Sequence, residues 1–124
     1  MTNRPSLLVI DDHAETGAFI RQVAEPMGYD VTVVTSPEKW LTVYERLRPD
    51  TIILDIVMPG VDGIEVLRGL AASRSTARIL LITGYKEDYL DFADQLADAF
   101  GLPPVAALPK PIRVDQLRSF LRGE

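Results

Sequence analysis

The chain has 124 residues, 47% hydrophobic and 25% charged, enough for one domain over residues 1–124 that buries its core without disulfide or metal staples. With no cysteine and a single histidine, His13, it cannot build a disulfide scaffold, a thiol nucleophile, an iron–sulfur or cysteine-ligated zinc centre, or a histidine cluster. Thirteen basic against eighteen acidic residues leave a net charge of −5, the wrong sign for direct nucleic-acid binding through phosphates, and no apolar run or leader pattern marks a membrane span or export signal, so a soluble, cytoplasmic protein is expected.

Five short apolar runs follow one another along the chain: residues 6–11 (SLLVID), 30–34 (DVTVV), 51–56 (TIILDI), 78–83 (RILLIT) and 105–108 (VAAL). Most are continuously hydrophobic, as parallel strands covered on both faces are. Helical periodicity fills the gaps. Ile20, Val23, Ala24 and Met27 mark the first helix, and Trp40, Leu41, Tyr44 and Leu47 the second. Ile64, Leu67, Leu70 and Ala71 mark the third, Leu90, Ala93, Ala97 and Phe100 the fourth, and Val114, Leu117 and Leu121 the fifth.

Ser36 before Pro37 reads as an N-cap with proline at the first helical position, and Asp62 with Glu65 as a capping box. Gly28 and Gly101 suit helix C-termini, and Pro26 should end or kink the first helix. Strict strand–helix alternation predicts a doubly wound α/β fold with a five-stranded parallel sheet and five helices.

In such a sheet, ligands gather beyond the carboxyl ends of the strands, where strand order reverses. The first run ends in Asp11 and Asp12, the third in Asp55 and the fourth in Thr83, while Lys110 follows the fifth. Taken singly, Asp11, Asp12 and Thr83 could be helix caps, Lys110 a solvated lysine and His13 an exposed loop or helix-start residue. Asp55 is harder to dismiss, because it closes a run that is otherwise apolar. Together the five residues bring three carboxylates, a hydroxyl and an ammonium to one rim. Mutually repelling carboxylates call for a cation, and a hard divalent ion with oxygen ligands, Mg²⁺, suits them. A carboxylate beside Mg²⁺, flanked by a hydroxyl and an ammonium, is equipped to accept a phosphoryl group.

The motifs VIDD at the first strand end, ILDIVMPGVDG around Asp55, LLITG around Thr83 and LPKPI around Lys110 resemble, in this order and spacing, the receiver domain of two-component response regulators. The resemblance covers essentially the whole chain. It implies a flavodoxin-like (CheY-like) sheet of order 2-1-3-4-5 and a cis bond between Lys110 and Pro111. It also implies Asp55 as phosphoacceptor, Thr83 as the switch hydroxyl and Lys110 as the phosphate-binding lysine. Mg²⁺ would be bound directly by Asp12, Asp55 and the backbone carbonyl of Val57, and by Asp11 mainly through water. The implied partners are a histidine kinase or phosphotransfer protein and an output domain or partner that the sequence does not name.

Departures from the family pattern are equally specific. Ala107 stands three residues before the lysine, where receivers usually carry a switching aromatic, and Gly84 follows Thr83 where alanine is common. The stretch over 84–111 is longer than usual and resembles receivers joined to EAL-type cyclic-di-GMP phosphodiesterase domains. Tyr85, Tyr89 and Phe92 share one helical face, which could pack on a neighbouring loop or form a partner or homodimer surface. Val57 and Tyr85 occupy positions that border the path of the attacking water in receivers, so slow dephosphorylation is expected. Two other functions remain alternatives. One is a phosphorylation-independent pseudo-receiver; the other is a Mg²⁺-dependent phosphohydrolase, against which stands Val57 in the place of the second aspartate of haloacid dehalogenase-like enzymes.

Overall fold

The computed structural model describes residues 4–58, 61–84 and 88–124, with the backbone alone at 61, 62, 88–90, 92 and 93. β1 (Ser6–Ile10), β2 (Asp30–Val34) and β3 (Thr51–Asp55) are followed by a two-residue antiparallel pair, β4 (Val57–Met58) and β5 (Val61–Asp62). β6 (Arg78–Thr83) and β7 (Val105–Pro109) complete the strands. The helices are α1 (Ala14–Ala24), α2 (Trp40–Leu47), α3 (Gly63–Ala72), α4 (Asp88–Ala99) and α5 (Val114–Arg122). The five long strands form one parallel sheet in the order β2-β1-β3-β6-β7. That is the expected 2-1-3-4-5, renumbered because β4 and β5 intervene.

Side-chain alternation divides the sheet into two cores. Leu8, Ile10, Ile52, Leu54, Ile79 and Leu81 face one side, where Tyr44 of α2 and Val66, Leu67 and Leu70 of α3 cover them. Leu7, Val9, Ile53, Leu80 and Ile82 face the other, under Ile20 and Val23 of α1 and Leu117, Phe120 and Leu121 of α5. This is why β1, β3 and β6 read as unbroken hydrophobic runs. Edge strands differ: β2 and β7 are only partly buried. Pro109 ends β7 at an edge, where a missing N–H breaks no ladder.

Local signals act as their chemistry requires. Ahead of Pro26, α1 ends at Ala24 and tightens into a 3₁₀ turn over Glu25–Met27. Gly28, at φ +99°, closes that turn by donating its N–H to the Glu25 carbonyl at 3.0 Å. Gly69 of α3 makes room for the indole of Trp40, since a Cβ there would lie 2.6 Å from Cζ2.

Some expectations need correction. Ser36 does hold the N-cap position, but of a 3₁₀ turn over Pro37–Lys39, and its side chain makes no capping bond. Leu41 and Val114, assigned to core stripes, are 41% and 37% exposed. In α2 the core is reached instead by Trp40, Val43, Tyr44 and Leu47, a stripe rotated away from Leu41. Val114 is the first residue of α5 and begins before that helix lies on the sheet. The side chains of Asp62, Tyr85, Tyr89, Leu90, Phe92 and Ala93 lie outside the described residues. No helix among the described residues is long and apolar enough to cross a membrane.

Candidate functional site

Parallel register places the chemistry at one edge. Ile10 pairs with Leu54, Asp55 with Ile82, and Thr83 with Pro109, so Asp11, Asp55, Thr83 and Lys110 leave neighbouring strands at the same level. Backbone bonds fix these exits. The Asp11 N–H donates to the Val34 carbonyl at 3.1 Å, that of Ile56 to Ile82 at 3.1 Å, and that of Lys110 to Thr83 at 2.7 Å. The peptide bond between Lys110 and Pro111 is cis.

Asp11, Asp55 and Thr83 are almost wholly buried, at 0%, 2% and 1% exposure. The Lys110 ammonium bridges the two carboxylates, with Nζ 2.9 Å from Asp55 Oδ2 and 3.0 Å from Asp11 Oδ2. Oδ1 of Asp55 accepts the Val57 N–H at 3.0 Å, while the Val57 side chain is 40% exposed. Thus each oxygen of Asp55 has its own partner, one fixed by the backbone and one carried on a long side chain.

The electrostatic balance is lopsided. Burial pushes the Asp55 pKa above its usual 3.8; the bonds from Lys110 and Val57 oppose this only in part, and the Asp11 charge adds to it. Burial works against the Lys110 charge, yet its bonds and attraction to Asp55 and Asp11 hold its pKa above 10.5. One cation shared among carboxylates leaves a deficit of positive charge.

His13 is the exposed helix-start residue that the sequence suggested, but the sequence did not place its ring beside the carboxylates. It occupies the N-cap position of α1 without a side-chain capping bond, and its N–H donates to Asp11 Oδ1 at 2.8 Å. This turn folds the ring back over the rim. Nδ1 then lies 3.1 Å from Asp11 Oδ1, 3.3 Å from Asp12 Oδ1 and 3.9 Å from Asp55 Oδ2. Neither Asp11 nor Asp12 is the N-cap. The one available signal was that His13 directly follows two aspartates at a strand end, which reads equally well as a helix start.

Asp11, Asp12, His13 and Asp55 can each offer one ligand atom, all within 4.8 Å of one another. Two buried oxygens of this group, Asp11 Oδ2 and Asp12 Oδ1, accept no hydrogen bond of good geometry and are met only by ion pairs, from Lys110 Nζ at 3.0 Å and His13 Nδ1 at 3.3 Å. Buried carboxylate oxygens lacking well-aligned donors are what a hard cation requires, so the residues fit a divalent ion. The phosphate-binding and switch residues of the expected set are thus brought to the same rim, Lys110 in direct contact with Asp55 and Thr83 at the end of the adjoining strand. Tyr85, expected beside them, lies outside the described residues.

A family model described as the response regulator receiver domain matches residues 7–122. The chain is 25% identical over 116 residues to the sporulation initiation phosphotransferase F of Bacillus subtilis, covering 94% of this chain and 90% of that protein. It is 37% identical over 90 residues to the DNA-binding response regulator MtrA of Mycobacterium tuberculosis, covering 73% of this chain but 39% of that protein. The chain therefore spans most of the Bacillus relative and about two fifths of the mycobacterial one. Among solved structures, a response regulator from Colwellia psychrerythraea aligns at 34% identity with a TM-score of 0.82, over 98% of this chain and 96% of that one. A match that runs through every strand end of the sheet leaves no part of the fold unaccounted for, and the chain belongs to the response regulator receiver domains, the CheY-like signalling switches of two-component systems.

Proposed function

We propose that Asp55 is the phosphoacceptor of a Mg²⁺-dependent switch in the cytoplasm. The donor is a phosphohistidine on a histidine kinase or phosphotransfer protein. One Asp55 oxygen attacks phosphorus, a P–O bond forms as the P–N bond breaks, and the departing imidazole keeps the electron pair and takes up a proton. Asp11, Asp12, Asp55 and the Val57 carbonyl would hold Mg²⁺, which supplies positive charge where the phosphoryl oxygens approach the carboxylates.

The chain's own residues do the remaining work. The Val57 N–H fixes one Asp55 oxygen and so orients the carboxylate. Lys110, already 2.9 Å from Asp55, passes from the carboxylate to a phosphoryl oxygen with little movement, and its raised pKa keeps it charged throughout. Thr83 offers a hydroxyl to a second phosphoryl oxygen from the adjoining strand end. Beside Lys110, an open groove of about 490 Å³ lined by Thr16, Phe19, Pro111 and Ile112 gives a donor helix an apolar seat next to the carboxylate.

The observation that carries this reading is the Lys110 bridge between two buried carboxylates at the sheet's switch point. Its test is mass spectrometry after treatment with acetyl phosphate and Mg²⁺. The wild-type chain should gain one phosphoryl group, lost on removal of Mg²⁺ from the reaction, and Asp55→Asn should gain none. Labelling of Asp55→Asn at the wild-type level would overturn the assignment. Ala107, standing where an aromatic residue is expected, favours one second reading, a module that binds partners without phosphorylation. Failure of the wild-type chain to label would select it.

A further inference from the structure

The end of the sheet opposite Asp55 holds a second polar recess. A cavity of about 110 Å³ lies between the segments that lead into β3 and β6, lined by Tyr44, Arg48, Arg74, Ser75 and Thr76 among others. The length of β3, roughly 13 Å at 3.3 Å per residue, separates it from Asp55, so it is no part of the acidic rim.

Its walls present donors without acceptors. Arg48 and Arg74 stand at the ends of α2 and α3, each at positive φ, +45° and +54°, where the chain turns back toward the next strand. The arginines that pair with carboxylates among the described residues are Arg21, Arg68, Arg113 and Arg122; Arg48 and Arg74 do not. Asp50, two residues after Arg48, is committed to the N–H and hydroxyl of Ser6 at 2.8 and 3.3 Å. The Arg48 guanidinium lies over the ring of Tyr44, 5.5 Å from its centroid. Ser75 is the telling neighbour. It is only 8% exposed, its Oγ accepts the Ala77 N–H at 3.2 Å, and its own proton finds no acceptor among the described residues. Buried donors of that kind are rare and costly. The Thr76 N–H likewise has no backbone acceptor among the described residues.

We infer that this recess binds a dianionic phosphate group, free or at the end of a small organic molecule, held by Arg48, Arg74 and the Ser75 hydroxyl. Its volume is well below the roughly 300–1,000 Å³ of pockets for drug-sized ligands, so it takes one small group and leaves any organic remainder outside. Guanidinium forks match the paired oxygens of phosphate, and a further oxygen remains for the Ser75 proton. A carboxylate, with two oxygens and one charge, would leave a donor unmet. Both arginines also offset the negative ends of their helices, but that role requires neither a cavity nor a buried hydroxyl.

The test titrates the Mg²⁺-free chain with inorganic phosphate and, separately, with glycerol phosphate. Chloride at equal ionic strength is the reference, and NMR and calorimetry are the readouts. The amides of Thr76 and Ala77 and the Nε signals of Arg48 and Arg74 should shift with phosphate and not with chloride, while the amides of Asp11, Asp12 and Lys110 stay in place. Arg48→Gln and Arg74→Gln should each weaken binding about tenfold or more, as loss of a hydrogen bond between charged groups does. Arg48→Lys, which keeps the charge without the fork, should recover only part of that loss. Ser75→Ala should weaken binding several-fold, with the rest of the amide spectrum reporting an intact fold. Tighter binding of inorganic phosphate would assign the recess to the free ion, and tighter binding of glycerol phosphate to a terminal phosphate. Equal shifts with chloride, shifts confined to the Asp55 rim, or arginine variants that lose stability without losing phosphate affinity would overturn the inference and leave only the helix-end role. None of these outcomes bears on the phosphorylation of Asp55.

Discussion

The Lys110 ammonium rests 2.9 Å from Oδ2 of Asp55, yet the Asp55 carboxyl titrates above, not below, its ordinary value. A single neighbouring cation would lower it. Burial and the Asp11 charge outweigh that cation, so Asp55 is an unfavourable charge in this fold, as the proposed metal and phosphoryl site would require.

It follows that Asp55→Asn should stabilise the metal-free protein at neutral pH. A gain on the order of 1 kcal/mol would raise Tm by roughly 4 °C for a domain of this size. The sign with pH is fixed by the raised pKa. Above it the wild-type chain carries the unfavourable charge and the variant does not. As pH falls through the raised pKa toward 3.8, the wild-type carboxyl becomes neutral and the advantage of the variant fades. Mg²⁺ should narrow the gap as well, by stabilising only the chain that binds it well. Urea unfolding of both proteins across this range, with and without Mg²⁺, measures the difference; a variant less stable than wild type at every pH would contradict the account.

Gly63 should prove indispensable to the site although it touches no ligand. A Cβ there would lie 2.5 Å from both the Cα and the carbonyl oxygen of Ile56, and Ile56 follows Asp55 directly. Backbone cannot swing aside as a side chain can. Gly63→Ala should cost about 1–3 kcal/mol of stability and also weaken Mg²⁺ binding, because the displaced segment carries Asp55 and Val57. Gly69→Ala is the control. Its Cβ would press the ring of Trp40, 2.6 Å away, far from the rim, so it should lower stability and leave Mg²⁺ affinity unchanged. Calorimetric titration of the two variants separates these outcomes.

The sheet and most of the site were legible because both obey rules that act over a few residues. Strands β1, β3 and β6 are buried on both faces, so burial itself wrote unbroken apolar runs, and polar residues could gather only where the runs stop. Pro26 and Gly28 likewise act within one turn. What escaped depends on geometry beyond the local pattern. Leu41 and Val114 satisfy the helical period, but which edge of an apolar stripe meets the sheet is set by how the helix docks. β4 and β5, two residues each, are too short to show alternation. The place of His13 at the start of α1 was legible, but the contact of its ring with the carboxylates was not, because that contact follows from the turn that Asp11 imposes.

Val57 should prolong the phosphorylated state. Its N–H is committed to Asp55 while its apolar side chain stands 40% exposed at the rim, where it cannot hydrogen-bond an attacking water. Hydrolysis then lacks the positioning that lowers its barrier. Val57→Asn keeps the backbone donor and adds a polar group beside the phosphoryl site, so loss of phosphate should accelerate several-fold, by roughly 1 kcal/mol of barrier. The decay of phosphorylated protein, followed by phosphate-affinity electrophoresis, gives the two rates directly. Equal rates would show that Val57 does not limit water attack.

Switching must follow a path suited to Ala107. This half-buried residue packs against the core opposite Leu81 and has no ring to rotate. The connection that does exist is backbone. Thr83 accepts the Lys110 N–H through its carbonyl at 2.7 Å, so the residue proposed to offer a hydroxyl to the phosphoryl group is tied to the residue proposed to offer an ammonium. Gly84 follows immediately, with nothing within 4 Å of where its Cβ would be. A pull on Thr83 therefore meets resistance from Lys110 on one side and freedom at Gly84 on the other, and the movement should pass through Gly84 toward the start of α4. Amide hydrogen exchange with and without beryllofluoride should show changed protection over residues 83–92 and at Lys110. Gly84→Ala has space for its methyl group and should leave stability within about 1 kcal/mol of wild type, while stiffening the segment and reducing that exchange response. Changes confined to α1 or α2, or a response undiminished in Gly84→Ala, would place the moving element elsewhere.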